Sequence, residues 1–278
     1  MLAKTSTIAC VVLGVLVAGR VHAQPDPDTE AKPTEAAPPD GADQLTLPKG
    51  RLLLDAYITA SLSSDAVFKP FSISPDLWYG ATDDVTVGLV HSALGTFGFI
   101  GGTGLSGQSL CLSGSGGGCA DVYTNVGVDA RYKLKVGSLA AAAGGGLYIT
   151  HFSDPFGLAI KLGGAVRWHS GKLAVEVDPN VFFGLTNRNT NGDLLDLPGT
   201  VFYAITPMVS LAVQTGFLIP FQNTGDLYAI PLSIGAHYHV NESLNVSLAF
   251  NLPRLIGGSL GGNGFDVRSL TLGGTYAF

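Results

Sequence analysis

The chain has 278 residues, a formal net charge of −6 and only 13% charged residues, with a mean hydropathy of +0.34. A net negative charge argues against a nucleic-acid partner. The hydropathy is high for a soluble domain, yet no run of eighteen apolar residues follows the N-terminal leader. This excludes a spanning helix and leaves two classes: a packed soluble β-protein, or a membrane barrel whose apolar residues alternate outward.

The leader, residues 1–23, has the features of a secretory signal peptide. Lys4 supplies a positive charge, residues 8–18 form an apolar stretch too short to span a bilayer comfortably, and Val21-His22-Ala23 places small residues before a cleavage site. We therefore expect export and a mature chain that starts at Gln24. Cleavage removes two basic residues and no acidic one, so the mature chain has 13 basic and 21 acidic residues and a net charge of −8.

The segment 24–48 differs in composition from everything after it. It is rich in proline, aspartate and glutamate and nearly lacks large apolar residues up to position 44. Such a composition cannot bury enough apolar surface to fold alone. We predict that it is a disordered periplasmic tether and that residues 49–278 form the folded domain.

From Arg51 onward the dominant pattern has a period of two. Leu52, Leu54 and Ala56 begin one alternating face, and the alternation continues for eleven residues. It recurs over residues 122–133, 158–169 and 244–252. Globular strands average about five or six residues, whereas tilted membrane strands need about nine to eleven. The pattern thus favours an all-β, membrane-spanning antiparallel barrel, and a soluble sandwich or solenoid is the alternative.

The breaks between these runs are of two kinds. Short polar turns lie at residues 82–84, 135–138, 171–172, 206–208 and 241–243, and the connections 97–120, 187–198 and 257–264 are longer. Counting the runs gives an up-and-down barrel of about 12 strands. Outer-membrane barrels have short turns on the periplasmic side and long loops outside. An even strand count also returns the C-terminus to the side of the tether.

Cys111 and Cys119 are the two cysteines that remain after cleavage, and both lie in the longest connection. Export to an oxidising compartment makes a disulfide between them the expectation. Two thiols supply only half of a structural zinc site, so the sequence predicts no metal site and no cofactor.

The C-terminal strand carries the most recognisable feature. Leu270, Leu272, Gly274, Tyr276 and Phe278 alternate to the last residue. This resembles the C-terminal signature strand of bacterial outer-membrane β-barrel proteins, with a final aromatic and another two residues earlier. The resemblance implies the outer membrane of a Gram-negative bacterium, contact with outer-membrane lipids, and recognition of Tyr276 and Phe278 by the barrel-insertion machinery.

Several aromatic residues lie near predicted strand ends, where amphipathic rings favour the membrane interface. They are Tyr79, Tyr132, Trp168, Tyr203, Tyr238 and Tyr276. The phrases around Tyr79, Tyr203 and Tyr238 are similar to periplasmic turns of outer-membrane barrels. We predict an aromatic girdle at this end of the barrel.

The inward phase of the strands carries charges of both signs. The predicted pore-lining residues are Asp55, Asp129, Arg131, Lys133, Lys161, Arg167, Glu176 and Asp178. Such charges line water or neutralise one another. Two functions stay open: porin-like passive transport of small solutes, and a non-transporting structural or surface-binding barrel that acts through its extracellular loops.

A third hypothesis is an outer-membrane lipid hydrolase. His151 and Ser153 have a spacing that puts both on one strand face, as in a His–Ser catalytic pair. The Asn that orients the histidine in outer-membrane phospholipases has no counterpart here, so we predict no enzymatic activity. His237 and His239 share a face but lack a third metal ligand, and we interpret them as polar lining.

Overall fold

The alternating segments form the strands of one β-barrel. The computed structural model describes residues 45–63, 71–92, 110–113, 122–258 and 264–278. Among these residues no helix is long and apolar enough to cross a membrane. The strands are β1 (Leu52–Ser61), β2 (Phe71–Gly80), β3 (Val85–Val90), β4 (Leu110–Cys111), β5 (Val126–Val136), β6 (Leu139–His151), β7 (Gly157–Ser170), β8 (Leu173–Val177), β9 (Asn180–Gly184), β10 (Leu194–Ala204), β11 (Val209–Pro220), β12 (Ala229–His239), β13 (Leu244–Gly257) and β14 (Ser269–Ala277), and the single-turn helix α1 (Thr224–Leu227) follows β11.

All neighbouring strands pair antiparallel, and β1 closes the sheet because it pairs with both β2 and β14. The segments β8 and β9 lie end to end between β7 and β10 and make one barrel strand. The short β4 pairs with the outer end of β2, and its Leu110 forms an isolated antiparallel bridge with Tyr123. The result is a closed antiparallel barrel of twelve strands, which confirms the predicted fold class.

The wall departs from regular pairing at two places. Pro179 separates β8 from β9, because proline has no backbone N–H to donate to a neighbouring strand. The strand β3 ends at Val90, where Asp76 Oδ1 accepts hydrogen bonds from the backbone N–H groups of His91 at 2.6 Å and Ser92 at 2.7 Å. A side chain of β2 thus replaces the backbone partner that would have continued β3.

Side chains alternate between a buried interior and an apolar exterior. On β5 Val128 is 63% exposed and its neighbour Asp129 only 1%; on β7 Leu162 is 56% exposed and Lys161 only 2%. A soluble protein places its polar residues outside and its apolar residues inside. The inversion observed here is the arrangement of a barrel that faces lipid outside and has a polar interior.

The predicted short turns and the aromatic girdle lie together at one end. The connections β2–β3, β5–β6, β7–β8, β10–β11 and β12–β13 are at this end, with the start of β1 and the end of β14. The predicted girdle residues are all exposed on the outer face near these turns: Tyr79, Tyr132, Trp168, Tyr203, Tyr238 and Tyr276. We refer to this end as the periplasmic end, by the short-turn rule.

The long connections differ from their predicted bounds. The connection predicted at 257–264 is longer than predicted, because β14 begins only at Ser269. β10 begins at Leu194, so the predicted loop 187–198 was too long at its end; residues 194–196 pair with β9, and the strand continues through Pro198 opposite β11. In the predicted loop 97–120, Leu110 and Cys111 pair with Ile73 and Ser72 of β2. Residues 97–109 and 114–120 lie outside the described residues.

Candidate functional site in the barrel interior

The eight predicted pore-lining residues occupy the inward phase of their strands. Asp55 is on β1, Asp129, Arg131 and Lys133 on β5, Lys161 and Arg167 on β7, Glu176 on β8, and Asp178 directly after β8. Six of them form what we call the charged arc, on β5, β7 and β8: Asp129, Arg131, Lys161, Arg167, Glu176 and Asp178. Lys133 is exposed near the periplasmic end, and Asp55 lies apart, opposite Asp76 of β2.

The first group of the charged arc is centred on Asp129. Lys161 Nζ forms a salt bridge with Asp129 Oδ2, and the Tyr148 hydroxyl donates to the same oxygen at 2.6 Å. The Lys161 ammonium also lies 5.4 Å from the centre of the Tyr148 ring. A buried carboxylate needs such partners, because transfer of an unpaired charge out of water costs several kcal/mol.

The second group is centred on Arg167. Its guanidinium forms a salt bridge with Glu176, its register partner on β8. The same guanidinium lies 5.3 Å from the centre of the Phe202 ring, and Asp178 is the next inward residue after Glu176. The charged arc as a whole contains three acidic and three basic side chains, so it is formally neutral.

Arg131 connects the charged arc to the periplasmic half of the interior. Its guanidinium lies 4.0 Å from the centre of the Trp78 ring, a cation–π contact. Trp78 packs with Val90, Tyr148 and Phe182 in an apolar cluster inside the barrel. Sequence reasoning missed these inward aromatic residues; the period-two phase of Trp78 with Asp76 was the available signal.

Large inward rings lie flat against the wall instead of projecting into the centre. Trp78 is paired with Gly88, and Tyr148 with Gly127, and a Cβ on either glycine would come within 2.3 Å of the opposing ring. Because glycine has no side chain, the ring can pack over the neighbouring strand and cover the glycine backbone. The rings thereby take less of the central space of the barrel.

The remaining wall carries a neutral arc, which we define as Thr200, Gln214, Ser233, Asn251 and Thr271 on β10 to β14. The first four are consecutive register partners across β10–β13. Gln214 Nε2 donates to Thr200 Oγ1 at 3.0 Å, and Asn251 Nδ2 donates to Thr271 Oγ1 at 2.9 Å. Each member is at most 2% exposed. The period-two phase of these strands was the signal for this arc, which sequence reasoning did not use.

The N-terminal segment, residues 45–48, enters the periplasmic half of the barrel. Leu45 packs against the inward alanines Ala142 and Ala165, and Arg131 Nη1 lies 3.5 Å from the Leu45 carbonyl oxygen, to which it donates. Leu47 N–H donates to Thr86 Oγ1 at 2.7 Å. The predicted boundary at residue 48 therefore falls inside a segment that contacts the inner wall.

This entry requires glycine at the end of β2. A Cβ on Gly80 would lie 2.0 Å from the Pro48 carbonyl oxygen, so any other residue would displace the segment. Lys49 N–H also donates to Asp83 in the β2–β3 turn at 3.2 Å. The chain thus bends around this turn before β1 begins. That residues 24–44 form a disordered tether stays a prediction.

The other predicted site residues lie outside these arcs. His151 ends β6, Ser153 lies in the following bend, and both are exposed. His237 and His239 face the interior near the periplasmic end, and His239 Nδ1 lies 2.6 Å from Asn245 Oδ1. In the described ranges no three His, Cys, Asp or Glu residues are grouped as metal ligands.

The two residues of the predicted disulfide differ in how far the structure describes them. Cys111 is buried on β4 beside the outer end of β2. Cys119 lies outside the described residues, so their disulfide stays a prediction.

The C-terminus pairs as the signature strand predicts. Phe278 N–H donates to the Leu52 carbonyl oxygen at 2.9 Å, and the Tyr276 and Phe278 rings meet edge to face at 4.7 Å. Phe278 is 58% exposed on the outer surface. These contacts complete the closure of β14 on β1, and recognition by the insertion machinery stays a prediction.

Comparison with known proteins identifies the fold. No family model matches the chain, and no curated protein matches it. The NanC porin is 12% identical with a TM-score of 0.53, and the match covers 80% of this chain and 98% of the porin. The KdgM porin, solved with disordered oligogalacturonate, is 10% identical with a TM-score of 0.51 and coverages of 81% and 99%.

A third similar structure is the COG4313 outer-membrane channel from Pseudomonas putida F1. It is 14% identical with a TM-score of 0.51, and the match covers 86% of this chain and 99% of the channel. Likeness at such identity concerns the fold and leaves the activity open. The chain has the twelve-stranded fold of bacterial outer-membrane β-barrel porins and channels.

Proposed function

We propose that this chain is a passive channel for small polar solutes in the outer membrane of a Gram-negative bacterium. The observation that carries the proposal is the inversion of polarity across the wall. The outer face is apolar between its aromatic girdle and the long loops, and the inner face carries the charged and neutral arcs. A lipid-facing exterior with a polar interior is the arrangement of a solute pathway.

Two further features support transport over enzymatic activity. The similar structures with a TM-score above 0.5 are described as porins and as a channel. The flat packing of Trp78 and Tyr148 against glycines keeps aromatic bulk at the wall. A barrel of about twelve strands is also intermediate in width between side-chain-filled small barrels and wide porins. We assign no enzymatic activity to it.

The channel we propose is narrow and restricted from the periplasmic side. All members of both arcs except Arg131 are buried at mid-barrel, which does not fit a wide water-filled pore at that level. Residues 45–48 occupy part of the periplasmic half. We therefore propose that movement of this segment away from Thr86 and Arg131 opens the pathway.

The same burial favours a second candidate, a non-transporting barrel that acts through its loops. Single-channel recording in planar bilayers separates the two. The mature chain, verified as folded by its heat-dependent mobility on gels, should produce discrete openings of small conductance. Transport is overturned if the folded protein shows no openings at any voltage and gives no solute flux in swelling vesicles.

A further inference from the structure

Two buried polar atoms of the neutral arc have no hydrogen-bond partner among the residues that the structure describes. These are Oδ1 of Asn251 and Oγ of Ser233, in side chains that are 0% and 1% exposed. Ser233 and Asn251 are direct register partners on β12 and β13. The Cβ atoms of such a pair are about 4.5–5.5 Å apart, so both atoms belong to one small site.

The orientation of the Asn251 amide is determined by its donors. Its Nδ2 group donates to Ser269 Oγ at 3.3 Å and to Thr271 Oγ1 at 2.9 Å, both on β14. Both donors point toward β14, which leaves Oδ1 as an acceptor without a donor. A buried polar atom without a partner costs about 1–3 kcal/mol. A hydrogen-bonding group that reaches the two atoms would remove this cost.

The wall that carries this site, β11 to β14, has no formal charge from the level of the site to the periplasmic turns. At this level and toward the periplasmic turns, the inward positions of β11 to β14 hold Ser, Thr, Asn, Gln, Ala, Gly and His, and no Asp, Glu, Lys or Arg. Across the barrel, Lys161 and Arg167 of β7 are paired with Asp129 and Glu176. An ionic ligand would lose hydration at this site without gaining a counter-charge.

The residues next to the site combine small side chains with one aromatic ring. Ala212, Gly235 and Ala249 form the next row of register partners toward the periplasm. The Phe202 ring packs on the two alanines of this row. An apolar surface beside unsatisfied hydroxyl and amide groups suits a molecule with both C–H faces and hydroxyl groups.

We propose that Ser233 and Asn251 form a binding site for a neutral, hydroxyl-bearing solute, a sugar or polyol, within the channel. A solute hydroxyl donates to Asn251 Oδ1, and a second hydroxyl exchanges a hydrogen bond with Ser233 Oγ. This inference rests on the proposed function, because it names the substrate class of that pathway. Sugar acids and amino sugars of equal size bind more weakly, since the site offers them no opposite charge.

The test measures binding and conduction separately on the folded mature chain. Titration calorimetry in detergent micelles measures binding of maltose, glucose and mannitol, with gluconate and glucosamine as charged probes. Planar-bilayer recording measures whether the same neutral sugars reduce the ion current saturably. The variants are Ser233→Ala and Asn251→Leu, and Ser247→Ala is the matched control two rows away on β13. Ser233→Ala keeps the test valid if Asn251→Leu does not fold.

We expect neutral sugars to bind better than the charged probes. Ser233→Ala and Asn251→Leu should each weaken binding by about three- to tenfold, the effect of one hydrogen bond, and Ser247→Ala should leave it unchanged. The inference is overturned if all three variants bind neutral sugars as well as the native protein does, or if charged and neutral probes bind equally. In either case channel openings would still support transport. Sugar binding without any conduction would support the site and overturn the proposed channel.

Discussion

Release of the N-terminal segment is the most direct perturbation of the proposed pathway. Leu45 is 8% exposed and lies against inward alanines of β6 and β7. The substitution Leu45→Asp removes this apolar contact and would bury a carboxylate near the alanines. Loss of a buried leucine side chain alone removes about 1.5–3 kcal/mol of transfer free energy. The inserted state should therefore lose about ten- to a hundredfold in population relative to the released state.

Single-channel recording gives the readout for this substitution. The Leu45→Asp channel should show a higher conductance, or a larger open fraction, that approaches the value of a deletion of residues 24–48. Leu45→Met keeps an apolar side chain of similar volume and serves as the matched control, with native behaviour expected. The reasoning is refuted if the deletion and Leu45→Asp both leave conductance and open fraction as in the native protein, because then the segment does not restrict the pathway.

Three further predictions concern the wall, the surface and assembly. Lys161→Met should lower the free energy of unfolding in urea by about 3–5 kcal/mol, because Asp129 loses its ion pair. The double variant with Asp129→Asn should recover most of this loss. Additive effects of the two substitutions would contradict the pairing. The double substitution of His151 and Ser153 by alanine should leave lipid hydrolysis at background level in vesicles, whereas a loss of measurable hydrolysis would revive the hydrolase hypothesis. Deletion of Phe278, whose N–H closes β14 on β1, should reduce the fraction of chain that reaches the heat-modifiable form in the membrane, and an unchanged fraction would argue against its role as insertion signal.

Local sequence patterns were sufficient to predict most of the barrel strands, but they did not predict the short β4 or the start of β10. In β5, Val128 and Ala130 alternate with Asp129 and Arg131, and this alternation determines which side chains face lipid. The polar turn after Gly80 and the aromatic residue Tyr79 before it predicted which end of the barrel is periplasmic. These features depend on residues that are close in sequence, so the period-two pattern is enough to predict them.

Partnerships across the barrel were not predictable in this way. Lys161 and Asp129 are 32 residues apart, and Arg167 was as compatible with an open channel as with an ion pair. The break at Pro179 and the early end of β3 at Val90 depend on which strands lie beside them. Register decides these contacts, and register is a property of the closed sheet.

The sequence by itself determined an exported-type leader, a proline-rich acidic segment, and an alternating chain whose apolar face must point outward. The apolar face can be read from the sequence because successive side chains of a strand point to opposite sides of the sheet. Only the tertiary structure decided that Leu45 and Leu47 enter the interior and that the six charged residues of β5, β7 and β8 form one balanced arc. It also decided that Asn251 and Ser233 meet with unsatisfied atoms, since closure of the barrel determines which inward side chains become neighbours.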